Sequence, residues 1–324
     1  MLLYSPKLHI PDGFLSLTVS ILCWGITAAI LGVAISRTNK ALGEKQVPLM
    51  GVMAAFIFAA QMINFPITGG TSGHLLGGAL AAITLGPWAG MLVMTAVIVV
   101  QGLLFQDGGL LVMGANILNM GLLTSAVGYG LYRSVLGMSQ NARLTVAGVA
   151  AWLSVMTGAL ATSLQLWLSG TSDLKTVAIT MLGVHALIGL GEALITVAAL
   201  GFIFRTRPDL LDEGSASAQG SRGWIVAGIL IALAVVFLSP LASTNPDGLN
   251  RVATDLGFMD TAQSGDGPLA GYTIPFLENA SLSKIAAGGI GALVVLGLVF
   301  LAGRGLNRKS QAANRVSHIA DRKS

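Results

Sequence analysis

The sequence predicts an all-α fold: a polytopic transmembrane helical bundle of about seven spans, followed by a C-terminal two-helix hairpin. Three observations lead there. The 324 residues are 54% hydrophobic and 10% charged, whereas a soluble domain carries about 25% charged residues. That leaves too little polar surface to cover a water-soluble globule. The apolar runs are long and do not alternate. In lipid only helices and closed barrels satisfy their own backbone hydrogen bonds, so such runs select helices. The loops between the runs sort their charge by side.

In chain order the apolar spans lie near 15–36, 47–66, 75–86, 88–104, 111–133, 145–168, 177–203, 224–241 and 284–302. The first exceeds a signal-peptide core of roughly 7–15 residues and has Lys7 alone before it, so it reads as a retained span. The third and fourth are separated at Gly86-Pro87, because proline disrupts a helix interior. Segment 75–86 is short against the roughly 20 residues of a full crossing and reads as half-inserted or tilted. Of the 18 Lys and Arg residues, all but Lys7, Lys175, Arg251 and Lys284 fall in four basic regions. These follow the first span, flank position 140, lie between 205 and 222, and form the tail. The positive-inside rule makes all four cytoplasmic. Splitting 75–104 supplies the even number of spans that this needs. The N-terminus is then outside and the C-terminus in the cytoplasm of a cell with its chain in the inner (cytoplasmic) membrane, crossed about nine times.

The polar stretch 204–223, RTRPDLLDEGSASAQGSRG, reads as a flexible linker. It divides the chain into a domain over 1–204, a cytoplasmic linker over 205–223 and an appended two-span module over 224–324. The module's outer loop, 242–283, is acidic, with Asp247, Asp255, Asp260, Asp266 and Glu278 against Arg251. Cys23 is the single cysteine, which excludes a disulfide framework and a cysteine metal motif. The pI of 9.4 reflects scattered loop cations and not a nucleic-acid surface.

The chosen orientation collects His9, Asp12, Asn64, His74, Asp107 and Asp173 on the outer face. His74 lies in ITGGTSGHLLGG, too glycine-rich for a stable helix in lipid. It is either a solvated turn or a loop folded into the bundle, where irregular backbone is tolerated if buried in protein. His9 lies in LHIPDGF, whose Pro-Asp-Gly is turn chemistry. A short segment that turns there could fold back over the bundle mouth. Imidazole suits zinc, copper, iron and nickel, and planar nitrogen-rich sites suit copper(II) or nickel(II). Two imidazoles make a weak site, so main-chain nitrogens near the chain start are candidates to complete it. His185 and Glu192 are seven residues apart and share a helical face. An intramembrane carboxylate is costly and thus a functional candidate, although both residues could equally serve helix packing. Asn116 and Asn119 stand in the same ambiguity. Ala28, Gly32 and Ser36 form a small-residue stripe suited to a close helix neighbour, in this chain or in a partner. No GxxxxGK[ST] phosphate loop, Ser/His/Asp pattern or HExxH occurs.

Four ordered motifs, LHIPDGFLS, QMINFPITGGTSGHLLGG, FQDGGLLVMGANILNMG and GVHALIGLGEALIT, resemble the CbiM/NikM family over roughly residues 8–205. That family comprises substrate-binding (S) components of cobalt and nickel energy-coupling-factor (ECF) ABC transporters. The C-terminal part, with SPLASTNPDGLNRVATDLGF, is similar to the PDGLE or NikN-like module. The resemblance implies a non-enzymatic uptake component that takes nickel(II) or cobalt(II) as transported substrate. It implies a coupling (T) subunit of CbiQ/NikQ type and two ATP-binding subunits as partners. It also implies a metal site at the chain start, here the Leu8 and His9 main-chain nitrogens, the His9 imidazole and His74. Asp12, Asn64, Asp107, Asn116, His185 and Glu192 are the candidates for its supporting contacts. Seven residues, MLLYSPK, precede the motif, so Leu8 would offer an amide and not an amine; the expectation is a mature chain that starts at position 8. An S component for an organic vitamin and a structural membrane partner without ligand are the alternative functions. Few aromatics and the paired histidines disfavour the first.

Overall fold

The computed structural model describes residues 8–42, 46–211, 223–263, 265 and 267–321, with side chains in the last helix to Asn307. Residues 1–7, Lys45, the 212–222 part of the linker, Asp266 and the side chains of the tail cations from Arg308 onward lie outside the described residues. The expected start at position 8 and the linker's flexibility therefore have no structural description.

Helices form where the apolar runs predict them. α1 spans Leu17–Ala41 and α2 spans Gln46–Gln61. The short α3, Gly78–Leu85, precedes α4, Pro87–Phe105. α5 (Met113–Asn116), a π-helical stretch (Ile117–Leu123) and α6 (Thr124–Tyr132) follow one another without interruption. α7 (Gln140–Leu168) and α8 (Leu174–Thr206) pack along each other, and Trp152 donates its indole N–H to Ala186 O at 2.9 Å. α9 covers Gly223–Leu238 and α11 Ala280–Asp321, with α10, Gly248–Asp255, in the loop between them. Side-chain oxygens cap several starts: Ser16 for α1, Ser139 for α7 and Asp173 for α8. Each accepts a main-chain N–H that the first helical turn leaves unpaired.

Among the described residues, six helices are long and apolar enough to cross a membrane, and α2 is a shorter apolar helix. Their outward faces are apolar, with Leu17, Leu194 and Phe237 among the exposed side chains, as a lipid-facing surface requires. The break at Gly86-Pro87 is real: Gly86 has φ +81° and Pro87 opens α4. The segment expected at 75–86 becomes an eight-residue helix with every residue buried. At 1.5 Å per residue it is about 12 Å long, so it does not cross a bilayer alone. It packs centrally against α4, α6 and α7.

Two features differ from the sequence reading. The glycine-rich loop before His74 contains a small antiparallel hairpin, β1 (Phe65–Ile67) with β2 (Thr71–Gly73), in which Pro66 pairs with Ser72. The expected appended module is packed into the same bundle: α2 contacts both α9 and α11. A Cβ on Gly291 of α11 would lie 2.1 Å from the Phe58 ring of α2, so the bare backbone allows this approach. The stripe Ala28, Gly32, Ser36 lies on an exposed face of α1, and a Cβ on Gly32 would meet nothing within 4 Å among the described residues.

Candidate metal site

Loops from five parts of the chain meet at one end of the bundle. Residues 8–12 form a strap that binds the loop after α4 through main-chain and side-chain bonds. Leu8 N donates to Asp107 Oδ1 at 2.7 Å, and Ile10 N donates to Asn116 Oδ1 at 3.0 Å. Asn116 Nδ2 returns a bond to Ile10 O at 3.0 Å, and Gly109 N donates to Ile10 O at 2.9 Å. The Asp12 carboxylate accepts Leu110 N, Leu111 N and Val112 N at 3.0–3.2 Å. It thereby caps the turn before α5 from about a hundred residues away. The glycines of FQDGG explain why the strap fits. Gly108 has φ +103°, and a Cβ there would lie 2.9 Å from the His9 Cβ.

The His74 segment is held from below. Glu192 of α8 is buried and accepts Leu76 N at 2.6 Å and Gly77 N at 2.8 Å. His9 and His74 are brought together with ring centroids 5.8 Å apart, edge to face. Both are buried. Both line a cavity of about 60 Å³ together with Asn119, His185 and Asp247.

Each ring is oriented by a carbonyl. His9 Nδ1 lies 2.9 Å from Asp107 O, and His74 Nδ1 lies 2.9 Å from Leu75 O. A carbonyl only accepts, so the His9 Nδ1 carries the proton and the His9 Nε2 offers a lone pair, whereas both His74 nitrogens face carbonyls and either can donate. His9 Nε2 has no hydrogen-bond partner among the described residues. His74 Nε2 faces Leu8 O at 3.2 Å and lies 4.0 Å from Asp247 Oδ2. Burial first, and the neighbouring His9 second, hold the His74 pKa below the ordinary histidine value, which favours the neutral ring. Burial pushes the Asp247 carboxyl up to about 8; Asp107 adds to this, while the Asn250 and Leu249 amides oppose it. A backbone-anchored imidazole with a buried, unpartnered Nε2, as at His9, is how proteins present histidine to a metal. Among the described residues no group of three or more His, Cys, Asp or Glu is placed to hold an ion by side chains alone.

The remaining candidates divide. His185 lines the cavity and bonds Met181 O through Nδ1 at 2.8 Å. Asn119 also lines it and pairs reciprocally with Gln165 of α7. Asp12, Asp107 and Asn116 position the strap. Asn64 lies outside the cavity, where its carbonyl accepts Ser243 N at 2.8 Å. Asp173 caps α8. The sequence reading left Asp247 and Tyr272 out of the site. Tyr272 donates its hydroxyl to Asp107 Oδ2 at 2.7 Å, and burial raises its pKa. A signal for Asp247 existed: Pro-Asp-Gly occurs at 11–13 and again at 246–248, in two loops assigned to the same face.

The family described as the cobalt uptake substrate-specific transmembrane region, CbiM, matches residues 9–210. This chain belongs to the CbiM family. A PDGLE domain follows the CbiM region and matches residues 222–308. The putative fused nickel transport protein NikMN of Archaeoglobus fulgidus is 36% identical over 90% of this chain and 97% of its own. The fused nickel transport protein NikMN of Rhodobacter capsulatus is 27% identical over 94% of this chain and its whole length. Among solved structures, a transition metal transporter is 32% identical, covers 65% of this chain and all of its own, and superposes with a TM-score of 0.57. A CbiM region joined in one chain to a PDGLE domain is therefore the arrangement of a multi-pass membrane protein of the fused NikMN type.

Proposed function

We propose that this protein captures divalent nickel or cobalt for uptake across the cytoplasmic membrane, as the S component of an ECF transporter. The observation that carries the reading is the pair of buried, carbonyl-anchored imidazoles, His9 and His74, in one small chamber. The fused nickel transport relatives support the metal. Cobalt stays in the proposal because the family's own description names it.

The His9 and His74 imidazoles are the core ligands, and the main-chain nitrogens of Leu8 and His9 complete a nitrogen set suited to nickel(II). Two local changes accompany that set. Leu8 N–H leaves Asp107 Oδ1, and the His9 ring turns about χ2 so that Nδ1 can chelate with its own main-chain nitrogen. The site end faces outward and the basic end, where Arg143 donates to Tyr132 Oη and Leu211 O, faces the cytoplasm. Energy for release comes from a T subunit of CbiQ/NikQ type and two ATP-binding subunits, because this sequence has no phosphate loop of its own.

Nickel titration of the purified full chain tests the reading. His9→Ala and His74→Ala are each expected to abolish saturable nickel binding while leaving a monodisperse, folded protein. A folded variant of either kind with wild-type affinity would refute it.

A further inference from the structure

Segment 244–250 of the PDGLE domain separates two cavities, and its residues are divided between them. Asp247, Gly248 and Leu249 line the chamber of His9 and His74. Thr244, Pro246 and Asn250 line a second cavity of about 530 Å³, to which Asp260 contributes a carboxylate. The two spaces differ in what they can hold. A divalent ion with about six waters needs roughly 180 Å³ at about 30 Å³ per water. The larger cavity accepts the whole hydrated ion. The chamber of about 60 Å³ accepts the ion only after it loses most of that shell.

The partition sits close against α8. A Cβ on Gly248 would lie 2.8 Å from Ile188 Cδ1 and 3.1 Å from His185 Cε1, so only glycine lets the segment descend onto α8. It is hydrogen-bonded to the hairpin and to the chain after α2. Ser72 N donates to Pro246 O, Ser72 Oγ to Asn245 O and Ser243 N to Asn64 O, each at 2.8 Å. Asp247 caps α10 by accepting Asn250 N at 2.8 Å, and its Oδ2 lies 4.0 Å from His74 Nε2. The partition thus carries a buried carboxylate on its inner face, beside one of the two imidazoles.

We propose that segment 244–250 is a gate between an antechamber for the hydrated cation and the inner site, and that Asp247 draws the ion from its water shell onto His9 and His74. This rests on the reading of the two histidines as ligands. A cation that enters this buried chamber is stabilised by nearby carboxyl groups. Asp107 stands on the strap side, where it bonds Leu8 N, and Asp247 adds a second from the PDGLE domain, 4.0 Å from His74 Nε2.

Two variants test the gate with nickel(II) and the purified full chain. Asp247→Asn keeps an equally good helix cap and removes the charge. It is expected to weaken equilibrium nickel binding by at least about tenfold, with an unchanged melting temperature without metal. Ala262→Trp fills the antechamber and leaves the inner site intact. It is expected to slow both association and dissociation by about tenfold or more, with the equilibrium constant unchanged within about twofold. Wild-type affinity in Asp247→Asn, while His74→Ala abolishes binding, overturns the gate and leaves the ligand reading standing. Wild-type rates in Ala262→Trp overturn it as well, and decide the matter alone if Asp247→Asn does not fold. Wild-type binding by His74→Ala removes the ligand reading and the gate together.

Discussion

Glu192→Gln is the most informative single change, because Glu192 touches His74 only through the main chain that seats it. Its two oxygens accept Leu76 N and Gly77 N at 2.6 and 2.8 Å. Glutamine has the same shape but one oxygen and one NH2 group. Whichever way the amide turns, one of the two N–H donors faces another donor. Bonds to a charged acceptor contribute about 1.5–3 kcal/mol each, and a neutral bond about half as much. Losing one and weakening the other costs about 2–4 kcal/mol at this fully buried site. Part of that cost is relieved by unseating residues 74–77. The fraction of molecules with His74 in place falls, and the apparent Kd rises by the same factor. Since about 1.4 kcal/mol is tenfold, nickel binding is expected to weaken by about 10–100-fold. Calorimetric titration of the purified variant, paired with its melting temperature without metal, measures both effects. Glu192→Asp keeps the charge but reaches less far and should fall between the two. A Glu192→Gln protein that melts lower yet binds nickel within about twofold of wild type refutes the argument. In that outcome Glu192 serves packing and does not seat the histidine.

Gly109→Ala would put a Cβ 2.1 Å from Asp12 Oδ1 and 2.2 Å from Asp12 N. Overpacking of that kind costs about 1–3 kcal/mol or more; nickel titration should show the strap displaced and binding lost, and wild-type affinity in a folded variant would contradict this. Asp173 tests helix capping through pH. The main-chain N–H and hydroxyl of Thr176 hold its carboxyl below the usual carboxylate range. Its contribution is therefore complete above the ordinary Asp pKa and is lost as pH falls through the lowered, folded-state value. Melting curves across acid pH should show a smaller acid-side loss in Asp173→Ala, and an identical pH profile would sink the claim.

The parts of the fold legible in the sequence are those with a long or local signature. The apolar runs mark the long helices. Gly86-Pro87 marks the break between α3 and α4, and Pro-Asp-Gly marks the turn after His9. The pairing of His9 with His74 was an expectation from side assignment and family likeness, and the geometry places the rings 5.8 Å apart. What stayed hidden has no local signature. The strands 65–67 and 71–73 are too short for alternation to register. The π-helical turn at 117–123 adds one residue to a helical register without any marker residue. Asp12 caps a turn 98–100 residues away, and Glu192 serves main-chain donors 115–116 residues away. Such partnerships arise only when the chain is folded. The C-terminal pair read as an attachment because its linker is polar, yet Gly291 sets α11 directly against Phe58 of α2 and Phe105 of α4, and Gly288 sets it against Met62 and against Val236 of α9.

That last feature has a kinetic consequence. Both feet of the loop between α9 and α11 stand on the bundle, so the loop is tethered at two points and never leaves. In the proposed gate, return of the segment is therefore a unimolecular event. The tether holds the segment over the mouth without help from any second polypeptide. A cover supplied by a separate polypeptide would need far tighter adhesion for the same occupancy, and would detach more slowly for it.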